Sequence, residues 1–89
     1  MDIEFDPAKN DANTAKHGLA FKDAPQVWLD DHMLVFKHTR AVDQEDRFKA
    51  LGMIGDRLHT VIYTMRGTTF RIISFRKSND TEIKLYHSL

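Results

Sequence analysis

Leu58–Lys77 reads LHTVIYTMRGTTFRIISFRK, and this stretch decides the fold. Two runs rich in Val, Ile, Phe, Tyr and Thr, Leu58–Arg66 and Thr69–Lys77, flank Gly67-Thr68, a connection short enough for a tight hairpin. Upstream, Gly55-Asp56-Arg57 joins Leu58 to a third run, Asp46–Ile54, and Met33–His38 supplies a fourth. Consecutive hairpins of this kind predict an antiparallel meander. The polar loop from Thr39 to Glu45 is expected to be its mobile connection.

Helices flank the strands. After a brief extended Ile3–Phe5, Asp6 reads as an N-cap with Pro7 at the first helical position, where its missing N–H costs nothing. That helix runs to His17, and Gly18 supplies the left-handed cap. Ala8, Ala12 and Ala15 follow helical spacing, so a thin inner face is expected to lie close against the sheet. A second helix, Lys22–Leu29, accommodates Pro25 in its first turn if Asp23 caps it, and Trp28 reads as a core anchor. Asn79 with Glu82 three residues on forms a capping box for a last helix, with Ile83, Tyr86 and Leu89 on its buried side. Helices segregated from an antiparallel sheet give an α+β fold.

The length of 89 residues suits one domain, 1–89, burying about two thirds of the surface that the unfolded chain exposes. With no cysteine, disulfide scaffolds, thiolate zinc sites and thiol catalysis drop out. No apolar run approaches the length of a membrane span and no signal-like segment opens the chain, so a cytoplasmic location is expected. His17, His32, His38, His59 and His87 form neither an i, i+4 pair nor a Glu-x-x-His motif, so no metal site is expected. Gly-rich phosphate loops and serine nucleophile elbows are also missing, and no cofactor is implied.

Net charge is zero, but its distribution is uneven. Residues 1–31 carry seven acidic and three basic side chains, whereas residues 57–89 carry six basic and two acidic ones. Arg66, Arg71, Arg76 and Lys77 follow one another without an intervening acid, a stripe able to attract phosphate or to serve as ordinary strand-edge charge. Simple alternation along Thr69–Lys77 puts Arg71 and Arg76 on opposite faces unless a bulge intervenes. Arg66 and Arg76 then form the expected functional pair, with Arg71 a surface or salt-bridge residue.

Lys16-His17-Gly18 at a helix end, Glu45-x-Arg47 at a strand start, and Arg66 with Arg76 are the groups that metal-free RNA cleavage needs. A base takes the 2′-hydroxyl proton, cations stabilise the phosphorane, and an acid assists the leaving 5′-oxygen. Either of Glu45 and His17 fits the base, with the other as acid, and the arginines fit a phosphate clamp. Taken singly, His17 is more often a helix cap than a catalyst, Glu45 more often a solvated carboxylate and Arg66 more often a hairpin-flanking charge.

The ordered blocks add to this. Phe5-Asp6-Pro7-Ala8-Lys9-Asn10, Asn13, Lys16-His17-Gly18 and Phe21 resemble the opening of the BrnT toxin family. Glu45-x-Arg47-Phe48, Gly52, Val61-Ile62-Tyr63-Thr64-x-Arg66-Gly67, Arg71-Ile72-Ile73-Ser74-x-Arg76-Lys77, Glu82 and Tyr86 follow in order. Phe75, Pro25 and Ser78-Asn79-Asp80, where the last helix of the family usually begins more basic, depart from that pattern. The resemblance implies a RelE-like fold and a metal-independent ribonuclease that halts translation. It implies Lys16, His17, Glu45, Arg66 and Arg76 as catalytic residues, and RNA as substrate, with Arg47, Lys77 and Tyr86 as its further contacts. It also implies a BrnA-type antitoxin as partner, in a hetero-oligomer that binds operator DNA through the antitoxin. The alternative is an antitoxin-binding co-repressor with little or no nuclease activity.

Overall fold

The structure, a computed structural model, describes residues 1–37 and 45–89. The loop expected over Thr39–Glu45 and the end of the first meander strand at His38 therefore lie outside the described residues, Glu45 excepted. Among the described residues, five strands, β1 (Ile3–Glu4), β2 (Leu34–Lys37), β3 (Phe48–Ile54), β4 (Arg57–Arg66) and β5 (Thr69–Lys77), form one sheet in the order β1-β5-β4-β3-β2. The meander is present as expected, and β1 adds itself in parallel to the outer edge of β5. Two α-helices, α1 (Pro7–His17) and α2 (Asp80–His87), and a 3₁₀ segment (Phe21–Leu29) complete an α+β architecture.

The inner face of the sheet carries the core. Ala50, Val61, Tyr63, Ile72 and Phe75 are buried against Phe21, Ala24 and Val27 of the 3₁₀ segment. Trp28 anchors this layer edge-on to Tyr63 and Phe70, at centroid distances of 5.2 and 5.4 Å. An α-helix was expected here. Pro25 sits inside the segment without an N–H to donate, and no side chain caps its start, so the tighter 3₁₀ winding replaces it. The close fit requires Gly52: a Cβ there would lie 2.5 Å from the Val27 carbonyl oxygen.

Helix α1 begins and ends as the sequence predicts. The Asp6 carboxylate accepts from the Ala8 N–H at 2.9 Å, and Gly18 adopts φ 70°. The face turned inward is not the expected alanine one: Ala8, Ala12 and Ala15 are exposed, while Asn13 is buried and Asn10 and His17 are half-buried. The reason is where α1 sits. It docks on the edge of β5 that β1 leaves uncovered, and there the unmet groups are backbone amides. The Asn13 amide donates to the Phe75 carbonyl at 2.8 Å and its oxygen accepts from the Phe75 N–H at 3.2 Å, standing in for a neighbouring strand.

Helix α2 opens with the full Asn79–Glu82 capping box. Ile83 and Tyr86 are half-buried as expected, but Leu89 is exposed, because α2 ends at His87 and its buried foot is Glu82.

The register of β5 changes at Ile73. Ser74 pairs with Ile62, yet Ile72 pairs with the next residue, Tyr63, so Ile73 is an extra residue in the ladder. This bulge overturns the expectation that Arg71 and Arg76 face opposite ways. Ile72 and Phe75 both enter the core, and Arg71 and Arg76 both turn outward.

Candidate active site

The outer face is built from alternate residues of five strands, and pairing fixes its layout. One row runs Glu4, Arg71, Thr64; the next runs Ser74, Ile62, Lys49, Phe36; the third runs Arg76, Thr60, Leu51, Leu34. Arg47 continues the alternation of β3 one residue before Phe48. The Thr64 hydroxyl donates to the Asp46 carbonyl at 2.7 Å and ties this segment to β4. The Glu45 carboxylate lies 3.9 Å from Arg47 Nε, so these two groups are brought together at the start of β3.

Over the third row stands α2. Its Glu82 carboxylate takes a bidentate pair from Arg76, at 2.7 and 2.9 Å. It also receives the Thr60 hydroxyl at 3.1 Å, the Asn79 N–H at 2.9 Å and Lys49 Nζ at 3.0 Å. Ser78 and Thr60 share a further hydrogen bond of 2.7 Å, which extends the network. Burial on its own would raise the Glu82 pKa, but bonds from Arg76, the Asn79 amide and Lys49 outweigh it and hold the carboxyl at about 2. Glu82 is thus ionised while only 4% exposed.

At the β5 edge, Lys16 and His17 in the last turn of α1 line a cleft of about 240 Å³ with Lys9, Ala12, Asn13, Ile73 and Ser74. The bulge therefore brings the helix end to Ser74, which belongs to the second row of the outer face. Arg66 is placed differently. It shares Glu4 with Arg71, at 3.8 and 3.6 Å, and is 57% exposed beside the β4–β5 turn. Six residues of β4 separate Arg66 from Thr60, the partner of Arg76, or about 20 Å at the usual strand rise. Arg66 and Arg76 share a face but do not meet.

The described elements thus bring Lys16 and His17 to the β5 edge of the outer face and Glu45 beside Arg47 at the start of β3. Residues 5–82 match the family model described as ribonuclease toxin, BrnT, of type II toxin–antitoxin system. The chain belongs to the BrnT family. No curated protein matches it. As a BrnT-family member it is a ribonuclease toxin whose system includes an antitoxin protein. Among the described residues, no helix is long and apolar enough to cross a membrane.

Two residues expected at the RNA surface of this BrnT-family chain are placed elsewhere. Lys77 pairs with His59 and, next to outward-facing Arg76, points to the other side of the sheet. The Tyr86 hydroxyl donates to Asp30 at 2.6 Å, and this bond, with some burial and the Asp30 charge, pushes the phenol up to about 12. Asp30 also accepts from the Met53 and His32 amides. Burial would raise the Asp30 pKa, but the Tyr86 and backbone bonds bring it down. Tyr86 thus straps α2 to the end of the 3₁₀ segment.

Sequence reasoning missed Lys49, Asn13 and the contact role of Glu82. The available signals were a lysine inside the otherwise apolar run Phe48–Ile54, and Thr60 within a buried strand. Glu82 was legible as a cap and is one; nothing in its spacing points to Arg76 or Lys49.

Proposed function

We propose that the protein is a RelE-like, metal-independent endoribonuclease that acts in the cytoplasm. In this reading RNA is cleaved on the outer face of its sheet, translation is inhibited, and a BrnA-type antitoxin neutralises the toxin within a complex that binds operator DNA. The observation that supports this reading is that Arg71 and Arg76 share one face, with Lys16 and His17 at its β5 edge and Arg47 beside Glu45 at the start of β3. Arg76 and Arg71 bind phosphate, and Arg76 stabilises the phosphorane charge. His17 and Glu45, on opposite flanks of the face, divide the roles of base and acid, and Lys16 adds positive charge beside the leaving group. Arg66, some 20 Å along β4 from the Arg76 row, binds a different phosphate of the same RNA chain.

Incubation of antitoxin-free protein with labelled RNA, with and without EDTA, tests this. Cleavage with 2′,3′-cyclic phosphate ends that survives EDTA is expected. Arg76→Ala should abolish growth arrest, Arg76→Lys should restore part of it because an ammonium lacks the planar fork, and Arg66→Ala should weaken it less. EDTA-sensitive cleavage would overturn the metal-free mechanism. If RNA stays intact with or without ribosomes while the antitoxin still binds, the protein is an antitoxin-holding co-repressor instead.

A further inference from the structure

From opposite sides of β4, Lys49 on β3, paired with Ile62, and Arg76 on β5, paired with Thr60, reach for one carboxylate. We propose that Glu82 is a positioning residue that holds the Arg76 guanidinium and the Lys49 ammonium side by side, making Lys49 the second cation of the phosphate site, the place that spacing had given to Arg66. The inference rests on the ribonuclease reading.

The geometry supplies the argument. Glu82 takes five contacts from four groups, Arg76 (two), Lys49, Thr60 and the Asn79 amide, and its position at the third residue of a capped helix fixes its backbone. It is therefore a rigid post, not a mobile counter-ion. The two cations are not consumed by it. Arg76 has five N–H donors and Lys49 three. Arg76 gives two to Glu82, with a longer contact of 3.4 Å to the Lys77 carbonyl, and Lys49 reaches Glu82 with its ammonium. Both side chains still reach solvent, at 25% and 17% exposed, whereas the Glu82 carboxylate is buried. Two positive charges against one negative leave the patch net positive where RNA approaches. Lys49 is also steadied by the Phe36 ring, 5.8 Å below its ammonium. Freed of Glu82, both long side chains would regain rotamers that a pre-organised phosphate site excludes.

The test separates positioning from folding. Glu82→Gln keeps the volume and removes the charge. The cleavage rate at saturating RNA should fall roughly ten- to hundredfold, while RNA binding is unchanged or tighter, because an acid has left a basic face. A merely structural loss would lower folded fraction, rate and binding together. Lys49→Gln should lower the rate and reduce the salt slope of single-stranded RNA binding by about 0.7, one phosphate contact, and Lys49→Arg should restore that slope. Should Glu82→Gln fail to fold, the two Lys49 variants decide the matter. Wild-type rate and slope in Lys49→Gln, or parallel loss of rate and binding in a folded Glu82→Gln, would overturn the proposal. If the wild-type protein cleaves no RNA, the ribonuclease reading fails, and the salt slope of Lys49→Gln alone then upholds or overturns the phosphate site.

Discussion

The two faces of the sheet obey different rules. The inner face is a continuous apolar layer in which Val61, Tyr63, Ile72 and Phe75 meet Phe21, Ala24 and Val27, and any side chain of suitable size and apolarity would satisfy much of it. The outer face is a lattice of charges in which Arg71 meets Glu4 and Arg76 meets Glu82, and a shift of one residue would leave the partners apart. The inner face makes the fold, and the outer face is where we propose that RNA is bound. The Ile73 bulge serves both: it keeps Ile72 and Phe75 inward and so turns Arg71 and Arg76 outward together.

The largest expected effect breaks the inner face. Phe75→Ala removes a ring that is 1% exposed and should cost about 3–5 kcal/mol, a large share of the stability of so small a domain. Chemical denaturation should show the midpoint falling, with activity lost only in proportion to folded protein. If folded Phe75→Ala is inactive, the inner face also shapes the site and the division between faces is too sharp.

Next in size is an acid-dependent loss confined to the outer face. The Glu82 carboxyl is lowered from 4.5 to about 2 in the folded state. A folded pKa below the unfolded one stabilises the protein above pH 4.5, and this stabilisation drains away as pH falls from 4.5 toward 2. The amount at stake is on the order of 3 kcal/mol. Urea midpoints measured from pH 6 to pH 2.5 should fall more steeply for wild type than for Glu82→Gln. Parallel curves would mean that the buried carboxylate is not held in its charged form.

What the sequence made legible follows the same division. Hairpins, caps and the antiparallel meander are local or periodic, so Gly67-Thr68, Asp6-Pro7, Gly18 and the Asn79–Glu82 box were readable from neighbours alone. The family blocks singled out Lys16, His17, Glu45, Arg66 and Arg76 as expected site residues, an expectation that the proposed function carries forward for all five. Spacing could not reveal that Arg66 and Arg76 lie at opposite ends of one hairpin, since adjacency across β4 and β5 depends on register. Nor could alternation survive one extra residue at Ile73. Asn13 escaped for another reason. Helical periodicity finds apolar faces, and α1 docks through amides on a strand edge, so its alanines drew attention while its asparagine did the docking.

Asn13 provides the third break, at the seam between the faces. Asn13→Ala would leave the Phe75 N–H and carbonyl unpaired beside a buried ring, at a cost of about 1–3 kcal/mol. Because α1 carries Lys16 and His17 to Ser74, hydrogen exchange at Phe75 should quicken and RNA cleavage should fall beyond what the stability change explains. Unchanged protection at Phe75 would show that the helix is held by other contacts.

The smallest effect probes how much of the outer lattice stabilises the fold at all. Glu4 lies 3.8 Å from Arg66 and 3.6 Å from Arg71; Glu4 and Arg66 are exposed and Arg71 is half-buried, so solvent screens much of the attraction. Glu4→Gln should therefore change stability by less than about 1 kcal/mol, in contrast to the buried Glu82. Its effect on RNA should have the opposite sign: with one acid gone beside two arginines, binding should tighten slightly at low salt and converge with wild type as salt rises. Thermal unfolding and RNA titrations at two salt concentrations measure both quantities on one preparation. A stability loss above about 2 kcal/mol would mean that surface pairs, and not only the apolar layer, hold β1 to the sheet. Weaker RNA binding would mean that Glu4 orients Arg71 as Glu82 orients Arg76, and the positioning device would then occur twice on this face.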